Sequence, residues 1–169
     1  MNDLLTRKPP VILGPPMTII VDTREQAPYP FTESGYSIVR EALPEGDYGV
    51  LGLPYVAVER KSLNDLIGSL TFGRERFFRE LARLRSYRVC AIVVEASLSD
   101  ILQHHYESAA APASIVGSLL AIVADMRIPV LLCGDRPAAQ AATLRLLERA
   151  WLKRGSRRRL RSEGRRNGY

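Results

Sequence analysis

The chain has 169 residues, enough for one domain with a sizeable core. A hydrophobic share of 46% excludes a disordered chain, and no apolar run is long enough to span a bilayer. The N-terminus lacks a signal-peptide pattern. The net charge of +6 belongs to the tail: residues 153–169 carry +7, so residues 1–152 amount to −1.

Residues 1–16 read as a flexible Pro-rich arm (Pro9, Pro10, Pro15, Pro16) outside the core. Met17–Val21 is a short apolar strand that ends at Asp22. Residues 23–35 form a loop, with Pro28, Pro30 and Gly35. Tyr36–Glu41 alternates as a strand, and Pro44-Glu45-Gly46 is a turn. Asp47–Leu51 and Tyr55–Lys61 pair as a hairpin around Gly52-Leu53-Pro54. Ser62 caps a helix, with Asp65 three residues on. A second helix starts near Gly73, with Phe77, Phe78, Leu81 and Leu84 on its apolar face. Val89–Glu95 is a central strand buried on both faces. Leu98–His105 is a short helix, and Pro112 opens another that carries Ile115, Leu119, Ile122, Val123 and Met126. Pro129–Cys133 is the last strand, and Arg136–Leu152 the last helix. Strands separated by helices predict an α/β fold, a mixed central sheet with helices on both faces. The folded unit is residues 17–152, followed by a basic tail at 153–169 that reads as disordered.

The carboxylates gather near strand ends. Asp22 ends the first strand, Asp47 opens the hairpin, and Glu59 and Lys61 close it. Alternate residues share a strand face, so Glu59 and Lys61 point one way and Arg60 the other. Whether Asp47 joins them depends on register. If Leu51 faces Tyr55, Asp47 lies opposite Glu59; if Val50 faces Tyr55, it lies opposite Val58 and turns away. Gly52 favours the three-residue, bulge-forming loop. Two or three carboxylates beside a lysine suit a hard cation such as Mg²⁺ or Mn²⁺ and phosphodiester hydrolysis. Charged residues that merely end a strand in water are the plainer reading.

The runs VDTRE (Val21–Glu25), GD (Gly46-Asp47) and ERKSLND (Glu59–Asp65) occur in this order. They resemble the nuclease core of the XPF/Hef structure-specific endonucleases, which carry a GD…ERKxxxD signature. The resemblance extends through GRERFFRELARLRSYRVCAIVVEAS and SIVGSLLAIVADMRIPVLLCGDRPAAQAATLRLL, about residues 18–152. It implies a restriction-endonuclease-like fold and metal-dependent cleavage of DNA near branch points. By position, Asp22, Asp47 and Glu59 match metal ligands, directly or through water, and Lys61 matches the catalytic lysine. Arg24, Glu25, Arg60 and Asp65 match supporting positions. For Arg60 the expectation is an ion pair with a nearby acid such as Asp65 that fixes the strand–helix junction.

Family members follow this core with a tandem helix–hairpin–helix domain, whereas here an arginine-rich tail follows. Its Lys153, Arg154, Arg157, Arg158, Arg159, Arg161, Arg165 and Arg166 are expected to clamp DNA non-specifically. Family members also dimerise, and the helices at 113–126 and 136–152 are the candidate homodimer interface. Two competing readings stand beside the nuclease: a non-catalytic DNA-binding or scaffold subunit, and a sequence-specific nuclease on the same fold.

Smaller features read modestly. His104 and His105 are adjacent, do not share a helix face, and read as exposed or capping residues. Arg76, Arg79 and Arg83 either track a phosphate backbone or pair with Glu75 and Glu80. Tyr36 reads as core, while Tyr29 and Phe31 are open between core and contact with unpaired bases. Cys90 and Cys133 read as buried thiols in a reducing compartment. The expected location is the cytoplasm or nucleoid of a bacterium or phage host, or a nucleus in a eukaryote.

Overall fold

A computed structural model describes residues 16–32 and 35–154; the Pro-rich arm and most of the basic tail lie outside these residues. Among the described residues, six strands and five helices follow in chain order: β1 Thr18–Val21, β2 Ser37–Arg40, β3 Tyr48–Val50, β4 Leu53–Lys61, α1 Leu63–Leu70, α2 Arg74–Leu84, β5 Val89–Val94, α3 Leu98–Leu102, α4 Pro112–Ala124, β6 Val130–Leu132 and α5 Arg136–Lys153. The strands form one sheet in the order β2-β1-β3-β4-β5-β6. The β1/β2, β4/β5 and β5/β6 pairs are parallel, and β1/β3 and β3/β4 antiparallel, so the sheet is mixed as expected.

Alternation along the central strands sorts the core into two layers. Ala57, Ile92 and Val94 face one way, under Leu66, Ile67 and Leu70 of α1, Phe77 and Leu81 of α2, and Ile115 and Ile122 of α4. Val56, Val58 and Val93 face the other way, under Ala139, Leu147, Ala150 and Trp151 of α5. A strand covered on both faces needs apolar residues at every position, which is why β5 reads as a continuous run in the sequence.

The loop after β1 is part of the second layer. Tyr29 and Phe31 are each 2% exposed, so of the two readings left open for them it is core packing that holds. The Tyr29 ring stacks on Tyr48 at 5.2 Å and 8°, and Phe31 meets both rings edge-on. The Tyr29 backbone N–H donates to the Tyr48 hydroxyl at 2.9 Å.

The β3–β4 connection differs from expectation. Val50 pairs with Leu53, so the turn is the two residues Leu51-Gly52 rather than a three-residue loop. Leu53 is apolar and 6% exposed, and joining β4 buries it, while Gly52 takes φ +81° to close the tighter turn. A shift in register then absorbs the extra β4 residues before Tyr48 meets Val58. The exposed Pro54 sits in this irregular stretch, where a missing N–H does least harm.

Helix ends follow local chemistry. Ser62 and Ser97 accept from backbone N–H groups in the first turns of α1 and α3, and Asp135 does so for α5. The third helix stops at Leu102 rather than His105, because His104 takes φ +60°. His104 then contacts the Ser108 carbonyl and His105 the Asp100 carboxylate, as surface residues.

Leu66 is fully buried between α1 and the sheet. Leu66→Ala is expected to lower unfolding free energy by about 2–5 kcal/mol in urea denaturation.

Candidate active site

The site is built where β1, β3 and β4 end together. Gly46 makes it possible. It has φ +77°, and a Cβ there would stand 3.1 Å from the Val58 carbonyl oxygen and 3.3 Å from the Ala57 Cβ. Only glycine lets the chain come this close, so that the Asp47 N–H can donate to the Val58 oxygen at 2.8 Å. The Asp47 carbonyl in turn accepts from the Asp22 N–H at 2.8 Å. The Asp47 carboxylate accepts the Arg60 N–H at 2.7 Å. Asp47 is thus anchored between β1 and β4, one step beyond the Tyr48–Val58 pair and so level with Glu59.

Asp47, Glu59 and Lys61 line one open cleft of about 640 Å³, with Arg24, Glu25, Arg60, Asp65, Gly68, Ser69, Gly73 and Arg76. The face-sharing that alternation predicts for Glu59 and Lys61 is present: Lys61 Nζ lies 2.9 Å from the Glu59 carboxylate. Lys61 also sits 5.0 Å from the centre of the Phe77 ring. Burial pushes the Lys61 ammonium toward deprotonation, but Glu59 and then Asp47 outweigh it and hold its pKa above the usual value. Lys61 is therefore a fixed positive charge at neutral pH, not a base.

Asp47 shows the opposite balance. Burial, and then the Glu59 carboxylate, push its pKa up to about 7. One lysine does not neutralise two half-buried carboxylates. A divalent cation would relieve that repulsion, and the oxygen donors suit a hard ion.

Asp22 is buried at 1% exposure and held differently. One oxygen accepts from the Arg24 backbone N–H at 2.8 Å and from Arg24 Nε at 2.7 Å. The other accepts from Arg24 Nη2 at 3.1 Å and from the Leu43 N–H at 2.6 Å. Burial alone would raise its pKa, but these bonds hold it below the ordinary carboxylate value. No acceptor position of Asp22 is left free, so the ligand role expected of it requires Arg24 to swing aside. The Arg24 side chain, 69% exposed, has the room to do so. Among the described residues, no three His, Cys, Asp or Glu side chains converge on one point.

Arg60 leaves the Glu59/Lys61 face as alternation predicts, but its partner is not Asp65. It forms a two-pronged pair with Glu95, Nε to Oε1 at 2.8 Å and Nη2 to Oε2 at 3.0 Å. Glu95 follows directly on Val94, the residue that pairs with Lys61 across β4 and β5, which brings it to Arg60; Asp65 lies on the far side, in α1. Glu25 stands 3.5 Å from Arg60 on its other flank and accepts the Ala27 N–H at 2.7 Å. Burial raises the Glu95 carboxyl, but Arg60 and Arg136 more than reverse this and keep it ionised. Asp65 instead accepts the Ser62 hydroxyl at 2.6 Å, in the capping role.

Two residues of this network were not singled out in the sequence. Glu95 is a lone carboxylate at the end of an apolar strand, beside the ends of β4, and that position is its signal. Arg136 has none: it reads as the first turn of a helix, yet donates to Glu95 at 2.8 Å and to the carbonyls of Ala27 and Pro28 at 2.7 and 3.0 Å. Arg40 similarly donates to the carbonyls of Thr23 and Glu25. The loop after β1 is thus held by arginines on both sides.

The Arg76/Arg79/Arg83 stripe pairs with acids: Arg76 with Glu80, Arg79 with Glu75, and Arg83 with Glu45. Of the basic tail residues, Lys153 and Arg154 are described. Arg154 stacks on the Trp151 ring. Arg157, Arg158, Arg159, Arg161, Arg165 and Arg166 lie outside the described residues.

The ERCC4 domain model matches residues 21–145, most of the chain and all of the site. The chain belongs to the ERCC4-domain family. Within that family it is 39% identical over 87 residues to the 3′-flap repair endonuclease Xpf of Saccharolobus solfataricus, a match covering 49% of this chain and 36% of that protein. The chain thus spans about a third of the length of that relative. The ERCC4 fold matches the solved XPF of Aeropyrum pernix at TM-score 0.61 and 26% identity, over 84% of this chain and 68% of that one. Against the same XPF in complex with DNA, the TM-score is 0.64 at 29% identity, over 82% and 66%. The sheet and its helices are thus those of an XPF-type, restriction-endonuclease-like nuclease domain.

The raised pKa of Asp47 has a measurable sign. Between the ordinary carboxyl value and about 7, the folded protein binds a proton that the unfolded chain does not. Metal-free stability therefore falls as pH rises through that window. In EDTA at pH 8, Asp47→Asn is expected to be more stable than wild type by about 1–3 kcal/mol, and to lose the advantage near pH 4. Urea denaturation at the two pH values checks this.

Removing Glu95 leaves the 11%-exposed Arg60 with the longer Glu25 contact as its remaining ion pair. Glu95→Ala is expected to cost about 3 kcal/mol, and a paired Arg60→Met, Glu95→Leu replacement to recover most of it. Chemical denaturation of both variants is the measurement.

Proposed function

We propose that this ERCC4-domain chain is a divalent-metal-dependent DNA endonuclease that hydrolyses phosphodiester bonds at branched structures such as flaps, forks or four-way junctions. The observation that carries the reading is the Asp47–Glu59–Lys61 constellation in one open cleft, with Asp47 held in an electrostatically unfavourable state. Repulsion of this kind is what a cation-binding site exhibits without its ion. The match to a flap endonuclease and to a DNA-bound XPF supports the substrate class.

Asp47 and Glu59 would hold Mg²⁺ or Mn²⁺, with Asp22 contributing directly or through water once Arg24 moves. Bound there, the ion would supply charge to the non-bridging phosphate oxygens and acidity to a coordinated water. Water oxygen forms the new bond to phosphorus, the P–O3′ bond breaks, and the 3′ oxygen takes up a proton, leaving a 5′ phosphate. Lys61, which Glu59 and Asp47 hold charged in the metal-free site, would orient the attacking water and offset negative charge that grows on the phosphoryl group. Asp47 must be ionised to hold the ion, and burial and Glu59 raise its metal-free pKa to about 7, so metal affinity is expected to rise with pH up to that value. Glu95, Arg60, Glu25 and Arg136 act behind the reacting atoms, by fixing the strand ends and the loop that frame the cleft.

The reading extends to partners. α4 and α5 flank the β6 edge from opposite faces of the sheet, and Leu120, Val123 and Leu152 are 62%, 47% and 44% exposed. These helices form a homodimer interface in this reading. The basic residues from Lys153 to Arg166 add a salt-sensitive clamp on DNA.

The test is cleavage of flap, fork, four-way and linear DNA with Mg²⁺, Mn²⁺ or EDTA. Wild type is expected to cut branched substrates only with metal, and Asp47→Asn and Lys61→Ala to lose at least about 100-fold in kcat. A wild type as inert as Asp47→Asn on every substrate refutes the enzyme and favours a DNA-binding scaffold. Equal cutting of linear and branched DNA refutes the structural preference.

A further inference from the structure

Phe72 is 97% exposed, far beyond any other large apolar side chain among the described residues. Exposed aromatics on frayed ends need no explanation, but this one stands on a pinned turn between α1 and α2. The Gly73 N–H donates to the Gly68 carbonyl at 2.9 Å, and the Thr71 hydroxyl to the Ile67 carbonyl at 2.7 Å. Gly73 also packs so closely that a Cβ would sit 3.3 Å from the Gly68 oxygen and 3.5 Å from the Ser69 Cα. The turn therefore holds Phe72 in the solvent instead of letting it fold back onto the helices.

Its position is the second observation. Gly68, Ser69, Gly73 and Arg76, which flank Phe72 in the chain, line the cleft that holds Asp47, Glu59 and Lys61, and Phe72 stands on the turn between them. Arg76 is 76% exposed and only loosely paired with Glu80 at 3.6 Å. An exposed aromatic ring on a pinned turn whose neighbours line this cleft, with an exposed guanidinium four residues on, offers a face to a base and a charge to its phosphate. The aromatics for which base contact was open, Tyr29 and Phe31, are buried elsewhere.

We propose that Phe72 is a stacking platform for an unpaired DNA base next to the scissile bond, and that it helps the site favour branch points over continuous duplex. The inference rests on the nuclease reading for its meaning but is tested by binding. In duplex every base face is covered by its neighbours; only a nucleotide freed at a branch can stack on the ring without unstacking cost. Because the side chain touches almost nothing in the protein, Phe72→Ala is expected to fold with an unchanged Tm.

The experiment titrates wild type, Phe72→Ala and Phe72→Trp, in EDTA, against flap DNA with 2-aminopurine at the unpaired position beside the junction. The same titration is run against a fully paired duplex. Wild type and Phe72→Trp are expected to quench the 2-aminopurine. Phe72→Ala is expected to lose the quench and to bind the flap roughly 5- to 100-fold more weakly, with duplex affinity unchanged. Three results overturn the proposal: identical quenching and affinity in Phe72→Ala, which would point to a protein contact; equal losses on flap and duplex; and no rescue by tryptophan. Cleavage with Mg²⁺ separates this from the parent reading. Wild type that quenches but never cuts refutes the nuclease alone, and a Phe72→Ala that cuts flaps as well as wild type refutes the platform alone.

Discussion

The Asp47 N–H reaches the Val58 carbonyl, and the Asp47 carboxylate reaches the Arg60 N–H. These two hydrogen bonds bracket Glu59 on β4 and force a second carboxylate to stand beside it. The rest of the site follows from this forced proximity. Burial, and then this proximity to Glu59, raises the Asp47 pKa; the paired acids keep Lys61 charged and create an electrostatic deficit that a cation can fill. The arrangement depends on a backbone position, Gly46, that carries no chemistry of its own. A Cβ there would press on the Val58 carbonyl and Ala57 of β4 at a φ of +77° that side chains rarely adopt, and so strain the approach of Asp47 to Val58.

Holding two acids together against their repulsion needs a rigid frame, and the frame is the second layer of charges. Glu95 takes both prongs of Arg60 and one of Arg136, and Arg136 also grips the loop that carries Glu25 and Tyr29. This network ties the ends of β4 and β5 and the start of α5 to the loop after β1. It is mostly buried, so each charge is safe only while its partner remains. The same chemistry, carboxylate against cation, thus plays two parts within a few residues. On one strand face it is left unbalanced and can accept an ion; on the other it is balanced and holds the scaffold.

Much of this was legible in the sequence, for reasons that can be stated. Alternation placed Glu59 and Lys61 on one face and Arg60 on the other, because a strand gives its side chains no other choice. The continuous apolar run of β5 announced a strand covered on both faces, as Val-rich stretches do when helices lie above and below. What sequence could not supply was distance across the fold. Arg60 has Asp65 five residues away and Glu95 thirty-five away, and nearness in the chain favoured the wrong one. Parallel pairing of β4 with β5 decides for Glu95, and pairing is a tertiary fact. The hairpin failed locally for a similar reason. Gly52 fits a two-residue and a three-residue turn equally well, and the burial of Leu53 chose between them. The register near Asp47 nevertheless came out in the form the chemistry needs, since the irregular stretch of β4 absorbs the difference.

Asp22 marks where the static site stops short of the proposed chemistry. Its carboxylate is fully occupied by Arg24 and the Leu43 N–H, and this engagement, unlike that of Asp47, lowers its pKa. Asp22 and Asp47 therefore differ in what an arriving cation would find. Asp47 gains from the ion, because repulsion is relieved; Asp22 must first exchange a good partner for it. Arg24 is the exposed member of its pair and also feels Asp47 and Glu45, so it is held at the cleft by several acids rather than by one. An incoming phosphate offers the guanidinium an alternative anion of matching geometry. If the cleft takes DNA and a cation as proposed, the substrate phosphate would draw Arg24 off Asp22 and free its carboxylate as a third ligand. That order would couple completion of the metal site to occupancy of the cleft, and it would do so through one exposed side chain without any rearrangement of the sheet.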